Sequence, residues 1–93
     1  MAGFELGRVV MTAGVNDHVA ESTPFAKWTL ECLRRHAQGD WGDLEEDDKR
    51  ENEFSLKNGF RLLSSYKQGD GEGIWIITEA DRSATTLLFP DEY

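Results

Sequence analysis

Apolar positions gather in the last third of the chain, where three short runs follow one another: Arg61–Lys67, Gly73–Glu79 and Ala84–Phe89. Each is rich in aliphatic, β-branched and aromatic residues, the types that pack on a pleated surface, so each predicts a strand. The spacers, Gln68–Glu72 and Ala80–Ser83, are too short for a parallel crossover, so the strands form an antiparallel meander. Alternation puts Leu62, Ser64 and Tyr66 on one face of the first strand and Leu63, Ser65 and Lys67 on the other. The middle strand is apolar on both sides, with Ile74 and Ile76 opposed to Trp75 and Ile77, which marks it as central. One sheet face then needs a helix over it. The other needs Trp41, the N-terminal segment or a partner molecule.

Upstream, Arg8–Thr12 reads as a short strand bounded by Gly7 and Gly14, and Gly14–Ala20 reads as irregular, with a turn at Asn16 and Asp17. Glu21–Pro24 predicts a helix start, Thr23 capping and Pro24 in the first helical position. Phe25, Trp28, Thr29, Cys32 and His36 recur at helical spacing to His36 or Ala37, and Leu30 and Leu33 widen the stripe. Arg34, Arg35 and His36 place positive charge at the helix end, and Gly39 suits the left-handed residue that stops it. Trp41 lies in a glycine-rich turn that would let the indole fold back on the core. Leu44–Leu56 is polar, with a thin stripe of Leu44, Glu51 and Phe54, and reads as an exposed helix capped by Asp43. Glu45 with Lys49 and Glu46 with Arg50 would pair four apart, and Lys57–Gly59 would end that helix. The expected fold is a single α+β domain over residues 1–93: an N-terminal strand, two helices, and a three-stranded antiparallel meander packed on the first helix.

Charge narrows the partners. Eighteen acids against ten bases give −8 over 93 residues, which disfavours nucleic acid and anionic membranes and favours a basic protein surface or a divalent cation. One cysteine, Cys32, excludes an internal disulfide. With no leader-like N-terminus and no run long enough to span a bilayer, the expected location is cytoplasmic.

The charge is concentrated between Asp40 and Glu53, where eight acids face two bases. Asp40, Trp41, Asp43, Glu45, Glu46, Asp47, Asp48, Glu51 and Glu53 are the candidate partner-binding residues, the carboxylates steering a basic protein surface and Trp41 anchoring it. Spaced carboxylates can also imitate phosphates toward a DNA-binding protein. A calcium loop from Asp43 fails, because its sixth position is Asp48 instead of Gly and its twelfth is Phe54. Cys32 and His36, with only His18 to join them, make a poor zinc set, and no metal or cofactor is expected. Gly69, Gly71 and Gly73 precede a strand instead of a helix, so they are no phosphate loop. The alternative is a metal-assisted hydrolase using Glu79 and Asp81 at the far end of the middle strand with nearby acids; Asp70 and Glu72, flanked by glycines, are the other carboxylate pair. The two-sided middle strand suggests a homodimer through Ile74, Ile76 or Trp75.

At Asp40–Asp43, Arg34–His36, Leu56–Gly59 and Ile74–Thr78, the chain resembles a group of small uncharacterised bacterial proteins associated with plasmids and other mobile elements, from about Gly14 to Pro90. The resemblance implies an accessory protein acting on host-defence or replication proteins. It brings no methyltransferase or nuclease motif.

Overall fold

The computed structural model describes residues 3–69 and 73–93, which form an α+β fold. Its elements are β1 (Arg8–Met11), α1 (Ala13–Glu21), α2 (Thr23–Ala37), α3 (Glu46–Asn58), β2 (Leu62–Tyr66), β3 (Ile74–Thr78) and β4 (Ala84–Leu88). The meander forms as expected, β2 against β3 and β3 against β4, with Leu63 opposite Ile77 and Ile76 opposite Leu87. β1 adds to β4 in parallel, giving the order β1-β4-β3-β2. The sheet therefore has β1 at one edge and β2 with α3 at the other.

The stretch read as irregular is helix α1. Its first turn is held from the far end of the chain: the Glu92 carboxylate accepts the Gly14 N–H at 3.0 Å and the Thr12 hydroxyl at 2.5 Å. A carboxylate at a helix N-terminus satisfies orphan donors and complements the dipole. Gly14 leaves room for it, since a Cβ there would stand 2.5 Å from Glu92 Oε2. In α2 the cap is Ser22, not Thr23; its hydroxyl accepts the Phe25 N–H at 3.2 Å, which moves Pro24 one place inward.

The core lies between α1, α2 and one sheet face, with Val15, Phe25 and Cys32 packed on Tyr66, Ile74, Ile76 and Leu87. Each large side chain buried there contributes about 1.5–3 kcal/mol. The α2 stripe is narrower than its spacing suggested: Phe25, Thr29, Cys32 and His36 are buried, whereas Leu30 is 67% exposed. Ile74 and Ile76 are fully buried within this core, so neither can meet a second chain. Trp75, Ile77 and Leu88 belong to the opposite face, where Tyr93 lies edge-on to Trp75 at 5.6 Å.

Candidate functional site: the acidic groove beside strand β2

The chain from Gly39 to Glu45 runs along the outer edge of β2 and closes it. Trp41 C=O accepts the Ser65 N–H at 3.3 Å, the Asp43 N–H donates to Ser65 C=O at 2.7 Å, and an Asp43 carboxylate oxygen accepts the Lys67 N–H at 2.8 Å. Gly42 makes the approach possible: its φ is +76°, and a Cβ would sit 2.1 Å from the Ser65 carbonyl oxygen. One turn along α3, the Asn52 amide brackets Leu63, accepting its N–H at 3.2 Å and donating to its C=O at 2.5 Å.

These contacts divide the predicted partner-binding residues into two groups. Asp40, Trp41, Asp43 and Glu53 are used within the fold. Asp40 takes Arg35 Nε at 2.8 Å and the Gly42 N–H at 3.2 Å, while its C=O accepts the Tyr66 hydroxyl at 2.6 Å. The Arg35 guanidinium holds the Asp40 carboxyl below its usual range. Trp41 is only 4% exposed, and its indole N–H donates to Glu53 at 2.7 Å, so it anchors the turn to the core and not a partner to the surface. Asp43 does not cap α3, which begins after Glu45 without a side-chain cap.

Glu45, Glu46, Asp47, Asp48 and Glu51 remain exposed. Their ion pairs run three apart instead of four, Glu46 with Lys49 at 3.7 Å and Asp47 with Arg50. The buried side of α3 consists of Asn52 and Ser55, not Leu44, Glu51 and Phe54; Phe54 is 54% exposed and stacks on Phe60. A groove of about 400 Å³ separates α3 from the sheet, with Leu44, Leu63 and Trp75 as its apolar lining and Asp48, Glu51 and Arg61 as its charges. Such a groove can take an aliphatic stem on the indole and a cationic head between carboxylates.

His36 is not the helix-end cation its position suggested. It is fully buried, and burial with the nearby positive Arg82 pushes its pKa down to about 4. Its Nδ1 meets Ser64 Oγ, its Nε2 meets Thr78 Oγ1 at 2.9 Å, and the chain continues through Thr85 Oγ1 to the Leu6 carbonyl. A His–Ser contact would suit a nucleophile in a cleft. Here both groups are sealed from solvent, so the network ties α2 to three strands. Cys32 is likewise buried, its thiol pushed up to about 12 by desolvation.

Sequence reasoning missed Asn52, Ser64, Thr78 and Thr85. The available signal was alternation: Ser64 shares a face with Leu62 and Tyr66, Thr78 with Ile74 and Ile76, and polar groups on a core face need partners. On the hydrolase reading, an Asp81 carboxylate oxygen accepts the Ser83 N–H at 3.0 Å within the β3–β4 turn. Asp70 and Glu72 lie outside the described residues. Among the described residues no three His, Cys, Asp or Glu converge as a metal site, and no helix is long and apolar enough to cross a membrane.

Compared with known proteins, the chain matches no family model, no curated protein and no solved structure. Geometry and chemistry therefore carry the functional reading.

Proposed function

We propose that this protein is a non-enzymatic interaction module in which the exposed acids of α3 and the adjoining groove receive a basic segment of another protein. The observation that carries this reading is the meeting of Asp48 and Glu51 with the half-buried Trp75 in one groove, close in sequence to the exposed Glu45. Carboxylates alone serve solubility on many helices. Combined with an aromatic floor they offer both attraction and a place for an arginine or lysine stem to desolvate. A nucleic-acid-processing or host-defence enzyme, with its basic binding surface, is the class of partner this chemistry suits.

The test compares equal charge changes at two places. An arginine- and lysine-rich peptide is titrated against the wild type, Asp48→Asn/Glu51→Gln and the control Asp17→Asn/Glu21→Gln, following tryptophan fluorescence. The groove variant should lose at least about tenfold in affinity, or about 1.4 kcal/mol. The control should change less than about twofold, and binding should weaken with added salt. Equal losses in both variants would mean that net charge alone attracts the peptide, and the reading would fall.

A further inference from the structure

We infer that the free edge of β1 and the apolar groove beside it are a self-association site, where a second copy of this chain pairs its own β1 antiparallel to form one continuous sheet. β1 has a single neighbour among the described strands, β4. Arg8 and Thr12 donate to Ser83 and Leu87, so strand alternation turns the N–H and C=O of Val9 and Met11 to the open side. The side chains do not shield that edge: Val9, Val10 and Met11 are 43%, 37% and 40% exposed. A groove of about 260 Å³ adjoins it on the helical side, lined almost wholly by apolar groups that include Val9, Met11, Val19, Leu30 and Leu33. α2 buries its stripe against β2, β3 and Leu87 of β4 and leaves Leu30 exposed, so the core is unfinished at β1, where Val9 and Met11 line an open groove.

A second copy is the occupant that fits the charge distribution. Across β1, α1 and α2, residues 8–37, four bases stand against three acids, and Glu92 at the first turn of α1 brings the two signs into balance, although the whole chain carries −8. A like-charged molecule can approach this end without meeting the acidic block, which lies with β2 at the other edge of the sheet. Because the β2 edge is bracketed by Asp43 and Asn52, copies cannot add head to tail, and pairing closes as a two-fold dimer. A two-fold at Val10 sets Val9 opposite Met11 of the other copy, which uses the open groups of both residues and joins the two grooves. Val10 then faces its own counterpart in a non-hydrogen-bonded pair, with Cα atoms about 4.5 Å apart.

Sedimentation equilibrium on the full chain, from about 1 to 100 μM, tests the inference. The wild type should weigh twice the 10.5 kDa chain mass at the upper end. Val9→Pro removes a donor only from the free side, and Leu30→Glu charges the groove at an exposed position. Each should raise the dimer Kd at least about tenfold while circular dichroism stays unchanged. Val10→Cys should cross-link on mild oxidation, since that pair lies within disulfide reach and Cys32 is buried. A wild type that is monomeric throughout, including one that takes up an extended peptide on this edge, overturns the proposal. So does a dimer indifferent to both variants, or a Val10→Cys chain that does not cross-link.

Discussion

At β2 the outward N–H and C=O of Leu63 and Ser65 and the N–H of Lys67 have partners, supplied by Asn52, Trp41 and Asp43. At β1 the corresponding groups of Val9 and Met11 are covered by no neighbouring strand among the described residues. An unpaired edge is a template for another strand, and closing it requires donors and acceptors at the right spacing. The Gly39–Glu45 turn and Asn52 of α3 supply them at one end of the sheet, and no described residue does so at the other. The acidic segment therefore has two duties: its ends bind β2, and its middle faces solvent. Charge count alone had merged the two.

The largest expected effect comes from breaking the closed edge at its tightest point. Gly42→Ala forces a side chain into left-handed backbone and against the Ser65 carbonyl oxygen 2.1 Å away. The turn must lift off β2, releasing the Ser65 pairings and the seat of Trp41. Urea unfolding should show a loss of about 3 kcal/mol, combining strain with the lost contacts. A loss below about 1 kcal/mol would show that the turn contributes little to holding this edge.

Acid should act on the same half of the molecule. His36 joins α2 to Ser64 of β2 and Thr78 of β3, with its pKa lowered from an ordinary 6.5 to about 4. The unfolded chain takes up this proton below pH 6.5, whereas the folded chain resists it down to about 4. The stability His36 contributes is thus fully present above 6.5 and is lost as pH falls through this window, amounting to about 3 kcal/mol. Unfolding followed between those pH values should display the slope, and His36→Gln should flatten it at the expense of overall stability. A wild-type slope unchanged by that substitution would assign the acid sensitivity to other groups.

The meander was legible because its pattern is local: alternating strands, short spacers and a middle strand apolar on both faces. α2 was legible from its periodicity, although Ser22 and not Thr23 caps it. α1 was not, because the carboxylate at its first turn belongs to Glu92 near the other end of the chain. Exposure of the α3 acids followed from composition, but the engagement of Asp40, Asp43 and Glu53 did not. A carboxylate looks the same in sequence whether it meets solvent, a guanidinium or a backbone N–H. The open edge of β1 was hidden for the same reason, since strand order fixes which edge stays free and no local pattern encodes it.

The smallest of these effects discriminates most finely between the edges. Asn52→Ala leaves α3 its helical backbone and improves its propensity, yet strips both partners from Leu63. Water can reach part of that edge, so the expected loss is about 2 kcal/mol, below the cost of two fully buried orphan groups. Asn52→Asp keeps an acceptor for the Leu63 N–H and sets a carboxylate against its C=O, so it should not recover the loss. At β1, Val9→Pro deletes a donor that has no partner among the described residues, and a dilute monomer should lose no more than about 0.5 kcal/mol. Unfolding of the three variants at low protein concentration measures the contrast. Equal losses at Asn52 and Val9 would mean that both edges are solvated alike and that the Asn52 bracket does not stabilise β2.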